Sequence, residues 1–136
     1  MGKIAFVFSG QGAQKAGMGK SFYDHNETVK DLFDRAETLR NGTLVQCFSG
    51  TAEELKETQN TQPCLYLTDL AAAIALSEAG IPVDGVAGFS LGELPALAFA
   101  GAYSHLDGFR LACIRGRAMA KAAAERIISR VKGLDK

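Results

Sequence analysis

One stretch constrains this chain more than any other: Val86-Ala87-Gly88-Phe89-Ser90-Leu91-Gly92-Glu93. A short apolar run leads into Gly-x-Ser-x-Gly, and a helical pattern follows. That order is the sequence form of a nucleophile elbow, in which a sharp strand-to-helix turn presents a serine hydroxyl. Gly88 and Gly92 suit such a turn because they carry no side chain to obstruct its closure. Taken alone, the pattern fits a catalytic serine or a plain tight turn equally well. The rest of the chain has to decide.

The 136 residues make one domain at most. Fifteen basic and fifteen acidic residues balance without a basic cluster, which argues against nucleic acid as a partner. No apolar run reaches the length needed to span a bilayer, so no membrane is expected. The N-terminus lacks the charged, apolar, small-residue order of a signal peptide, and a cytoplasmic protein is expected. Cys47, Cys64 and Cys113 are odd in number, sit in apolar or helical contexts and lack metal-ligand spacing. They read as reduced core thiols, with no metal site and no cofactor.

Residues 3–8, Lys-Ile-Ala-Phe-Val-Phe, form a continuous apolar run. Continuity rather than alternation predicts a strand buried on both faces, as in a parallel sheet. The loop after it, Ser9-Gly10-Gln11-Gly12-Ala13-Gln14, then lies at the strand's carboxyl end, where α/β folds place ligands. Neither phosphate-loop pattern fits. Lys15 stands at the third glycine of Gly-x-Gly-x-x-Gly, and Gln14 stands at the first glycine a Walker motif needs before Gly19-Lys20-Ser21.

Helices are predicted over 27–40, with Val29, Leu32, Phe33, Ala36 and Leu39 in phase, and from Thr61-Gln62-Pro63 to Ala79, with proline in the first turn. Gly42 is the expected C-cap of the first of these. Residues 43–48 stay ambiguous between strand and loop. Thr51 with Glu54, and Ser104 with Asp107, read as capping boxes. Residues 85–88 are the second strand. A helix follows Ser90 to about Ala100, and a long one begins after Ser104.

Arg115 lies in that last helix with Leu111, Ala112, Ala118 and Met119 as its neighbours one turn away, none of them charged. A guanidinium on an apolar flank must find a distant partner. That partner is either a structural Asp or Glu, or a substrate carboxylate held in the bidentate manner arginine's planar fork allows.

Gly10-Gln11-Gly12-Ala13-Gln14 with Gly17-Met18-Gly19, then Thr61-Gln62-Pro63, then Gly88-x-Ser90-Leu91-Gly92-Glu93, then Arg115-Gly116-x-x-Met119 occur in this order. Over residues 3–120 the chain resembles the malonyl-CoA:acyl carrier protein transacylase family. The resemblance implies an α/β class, a partial α/β-hydrolase-like core with a short parallel sheet and flanking helices. It implies a single truncated domain over 1–130, without the family's ferredoxin-like subdomain; residues 131–136, read from their position at the chain end, are expected to be a disordered tail. It implies malonyl-CoA and acyl carrier protein as partners, in fatty acid or polyketide biosynthesis. Ser90 would be the malonylated nucleophile, the backbone N–H groups of Gln11 and Leu91 the oxyanion hole, and Arg115 the clamp on the malonyl carboxylate.

Three departures stand out. Phe89 replaces the family's usual histidine. Pro95 falls where a helix starting at Ser90 would need a donor, so a local distortion is expected. The family's catalytic histidine belongs to a downstream half outside these residues, and His25 and His105 look like solvated surface groups. The chain is therefore expected to be weak or inactive alone, and to form an oligomer or to pair with a complementing second-half chain. The alternatives are a non-catalytic interaction module and a serine hydrolase with another base.

Overall fold

The computed structural model describes residues 2–131. Strand β1 (Ala5–Phe8) is followed by α1 (Lys20–His25), α2 (Glu27–Leu39), α3 (Thr43–Ser49), α4 (Ala52–Lys56) and α5 (Thr58–Glu78). Strand β2 (Gly85–Gly88), a 3-10 turn (Ser90–Gly92), α6 (Glu93–Phe99) and α7 (His105–Val131) complete the order. The expected tail lies outside the described residues except for Val131, the last residue of α7. The result is a mixed α/β fold with one two-stranded sheet and many helices; no ferredoxin-like subdomain occurs among the described residues.

β1 and β2 pair in parallel, from Ala5 opposite Gly85 to Phe8 opposite Gly88. The strand starts at Ala5 rather than Lys3; Ile4 meets Asp84 just before β2, its carbonyl accepting the Asp84 N–H at 2.8 Å and its own N–H donating to Asp84 Oδ2 at 2.7 Å. Phe6 and Phe8 are buried, and their rings meet Phe99 at centroid distances of 5.6 and 6.1 Å. Val7, pointing the other way, is 78% exposed. The expectation of burial on both faces therefore fails. Phe99 of α6 and Ala73 of α5 pack against one face, and no described residue covers the other.

α5 is the helix around which the others pack. It buries residues on several sides, Tyr66, Leu67 and Leu70 among them. It begins at Thr58, not Thr61, because the Glu57 carbonyl accepts from both the Asn60 and Thr61 amides at 2.8 Å and starts the helix a turn early. Pro63 is then the sixth residue and removes one interior hydrogen bond. α7 lies close against α5. The Tyr66 hydroxyl occupies the space where a Cβ on Gly108 would be, and it donates to the His105 carbonyl at 2.7 Å.

Residues 43–48 are helical, a state the sequence did not suggest. Gly42, with φ +87°, is the N-cap of α3 rather than the C-cap of α2. The Leu44 N–H donates to Glu37 Oε1 at 2.9 Å, so a carboxylate on the neighbouring helix supplies the cap. The two expected capping boxes form by half. Thr51 and Ser104 hydroxyls accept from the Glu54 and Asp107 amides at 3.1 and 3.0 Å. Glu54 itself accepts from Gln46, and Asp107 pairs with Arg110. Cys47, Cys64 and Cys113 are buried free thiols. No helix among the described residues is long and apolar enough to cross a membrane.

Candidate active site

The elbow is closed by glycines that nothing else could replace. A Cβ on Gly88 would overlap the Gly92 backbone, and one on Gly92 would overlap the Phe8 carbonyl at the end of β1. The Phe89 N–H donates to that same carbonyl at 3.1 Å, continuing the parallel ladder up to the nucleophile position. Ser90 follows with φ +55°, the only non-glycine residue with positive φ among those described. For a serine this is a costly conformation, kept where the surrounding structure enforces it, and such strain concentrates at functional positions.

After Ser90 the chain makes a 3-10 turn and enters α6 only at Glu93. Pro95 therefore sits in the first α-helical turn, where no N–H partner is required. The distortion expected at the proline presumed a helix starting at Ser90; α6 starts at Glu93 and continues as α-helix through Pro95. Glu93 is exposed at the N-terminus of α6, where a carboxylate suits the helix dipole.

The first loop rests directly on the elbow. A Cβ on Gly10 would overlap the Phe89 carbonyl, so absence of a side chain brings Gln11 next to the nucleophile turn. Neither the Gln11 nor the Leu91 N–H donates to any described group. The Gln11 side chain is tied back, its Nε2 donating to Thr58 Oγ1 at 3.2 Å. Leu91 is fully buried, which fixes the turn that carries its amide.

Arg115 reaches the same place from α7. Its Nη2 donates to Ser90 Oγ at 3.2 Å and its Nη1 donates to Gln62 Oε1 at 2.9 Å. Among the described residues no carboxylate forms an ion pair with it; both side-chain partners are neutral. Of the two sequence readings, the structural salt bridge does not form among the described residues. Gly116 allows the close approach, since a Cβ there would stand 3.2 Å from the Gln59 Cα and the Thr58 carbonyl.

Gln62 and Thr58 are the residues that sequence reasoning missed as site members. Gln62 is buried, accepts from Arg115 and donates to Met119 Sδ at 3.3 Å. Only with α5 starting at Thr58 do Thr58 and Gln62 lie one turn apart, so that one face of that helix meets both Gln11 and Arg115. Phe89 projects beside the nucleophile and is 72% exposed.

Neither histidine touches Ser90. His25 is exposed at the end of α1, with Nδ1 at 2.9 Å from the Ser21 carbonyl. His105 lines a pocket with Thr28, Asp31 and Arg35 of α2, and burial pushes its pKa down. The structure thus brings Ser90, Arg115 and the Gln11 loop together and leaves both histidines elsewhere.

A strand, a strained serine and a short helical turn, closed by two obligatory glycines, define an α/β protein of the serine nucleophile-elbow class. Residues 5–133 match the acyl transferase domain, and the chain belongs to that family. It is 44% identical over 138 residues to the malonyl CoA-acyl carrier protein transacylase of Bacillus subtilis (strain 168), covering 99% of this chain. It spans only 44% of that relative's length. The crystal structure of the Synechocystis sp. PCC 6803 malonyl-CoA:ACP transacylase superposes with a TM-score of 0.83 at 40% identity, covering 88% of this chain and 41% of that one. A type II polyketide acyl-carrier protein in complex with its malonyl-transacylase gives a TM-score of 0.81 at 33% identity, covering 89% and 40%.

Proposed function

We propose that these residues form the nucleophile-bearing part of a malonyl transferase, moving malonyl from malonyl-CoA to the pantetheine thiol of an acyl carrier protein. The observation that carries this reading is Arg115. Its guanidinium is 3.2 Å from the Ser90 hydroxyl and has only neutral side-chain partners, which suits an acyl group ending in a free carboxylate.

In the first step Ser90 Oγ attacks the thioester carbonyl carbon. A C–O bond forms, the C–S bond breaks, and the hydroxyl proton passes by way of a base to the coenzyme A sulfur. The Gln11 and Leu91 amides hold the developing oxyanion. In the second step the pantetheine thiol attacks the malonyl-Ser90 ester and the serine recovers its proton. Arg115 keeps the malonyl carboxylate in place throughout.

Serine needs an adjacent base for this chemistry. Because neither His25 nor His105 reaches Ser90, the base in this proposal comes from polypeptide outside the 136 residues. The bare face at Val7 and the exposed Leu97 of α6 support further polypeptide against the sheet, either a second-half chain or another copy. The reaction would belong to fatty acid or polyketide biosynthesis in the cytoplasm. The same lack of a base favours a second reading, a folded module that keeps the elbow without using it.

Intact mass measurement after incubation with malonyl-CoA separates the two. A malonyl adduct that disappears in Ser90→Ala supports the transferase. No adduct, even with a candidate second-half polypeptide present, overturns it. Arg115→Ala is expected to slow malonyl transfer about tenfold or more while sparing acetyl transfer; equal loss for both acyl groups would make Arg115 structural.

A further inference from the structure

Asp69 is a carboxylate on the wall of the sheet that the transfer chemistry above does not use. Its Oδ1 accepts from Ser9 Oγ at 2.9 Å. Its Oδ2 is buried and has no hydrogen-bond partner among the described residues. The group borders a cleft of about 330 Å³ between β1 and α5. β1 and the residue after it face this cleft with residues 5–9, and α5 faces it with Ala72, Ala73 and Leu76; none of these is titratable. Burial pushes the Asp69 pKa up to about 6, and the Ser9 hydroxyl pulls it down.

A half-satisfied buried carboxylate costs stability. What the position returns is a hold on Ser9, two residues before Gln11. The residue between them, Gly10, is pressed against the Phe89 carbonyl, so the loop has no slack on the elbow side. On the other side α5 ties it twice, through Thr58 to Gln11 at 3.2 Å and through Asp69 to Ser9 at 2.9 Å. The two ties lie three helical turns apart, about 16 Å along α5. The neutral tie is the longer one; a hydroxyl bound to an ionised carboxylate is the stronger type.

We infer that Asp69 is a positioning residue of the transfer site: through Ser9 it holds the loop, and with it the Gln11 amide, against the nucleophile elbow. The inference rests on the proposed oxyanion role of Gln11 for its function, but not for its test. The Ser9 bond favours the ionised carboxylate, so the hold tightens as Asp69 loses its proton.

The test is amide hydrogen exchange on the full 136-residue chain between about pH 5 and pH 8, with rates normalised to those of unstructured peptides. In the wild type, protection of the Gly12 and Ala13 amides, the loop N–H groups that are hydrogen-bonded, should rise as pH passes through about 6. In Asp69→Asn that step should vanish, and the Gly12 and Ala13 amides should exchange about fivefold faster at neutral pH, while the amides of α2 and α7, which follow global stability, exchange no faster. Ser9→Ala should reproduce this with the carboxylate still in place, which keeps the inference testable if Asp69→Asn folds poorly. Wild-type protection of the loop in both variants, or a flat wild-type profile, overturns the inference. The readout needs no acyl transfer, so a missing malonyl adduct would sink the proposed function without touching this result.

Discussion

The helices and the sheet are built to different degrees of completion. Around α5, the side chains of Phe33, Tyr66 and Phe109 are wholly buried and every neighbouring helix contributes to the core. The sheet has two strands of four residues, one covered face and one bare one. The site lies on the seam between them. Its nucleophile comes from the sheet end, while the residues that orient its partners, Thr58 and Gln62, come from the helical side. Rigidity in this molecule therefore reaches the site chiefly from α5.

Substitutions can break or sharpen that contrast. The largest effect is expected where both regions meet. Gly92→Ala forces a Cβ into the Phe8 carbonyl, and should cost about 4 kcal/mol or abolish the folded state, read by chemical denaturation. Phe33→Ala, within the helical core, should cost about 3–4 kcal/mol by the same measurement. A loss under about 1 kcal/mol would show that the helical side is looser than its burial implies.

Asp69→Asn comes next and has a pH signature. The folded carboxyl has a pKa of about 6 against an ordinary 3.8, so the unfolded chain ionises first. Stability from this group is fully present below the ordinary value and is lost as pH rises through about 6. Partial exposure reduces the effect, and removing the charge should gain about 1–2 kcal/mol at neutral pH and erase that slope in denaturation profiles. The ionised group thus lowers global stability while it tightens the hold on Ser9. Val7→Ser closes the series with a change within about 0.5 kcal/mol in the isolated chain. A large loss there would mean that the bare face is covered in solution.

The sequence made the elbow legible because its causes are local: two glycines, a serine and an apolar lead-in. Arg115 was legible for the opposite reason, since its helical neighbours offered it nothing. The ambiguous residues 43–48 were decided by Glu37 on another helix, which no local pattern announces. The one-sided burial of β1 was hidden too, because a run of apolar residues says what a strand could bury and not what lies over it. Thr58 depended on α5 starting a turn early, set by the shared Glu57 carbonyl, and Gln62 on the tertiary approach of Arg115. The class of fold and the site residues to look for were implied by the motifs through the family they resemble, whereas the supports behind them needed tertiary structure.

The pairing of Ala5 with Gly85 has a kinetic meaning. Every helix from α1 to α5 lies between the two strands, so the ladder can close only after a long excursion of chain has been gathered. The Phe8 carbonyl that takes the Phe89 amide and crowds Gly92 is in place only when that closure is finished. The strained serine therefore depends for its conformation on strands that are far apart in the chain. A nascent or partly folded chain carries the same residues without an elbow, and its reactive geometry appears only with the native sheet.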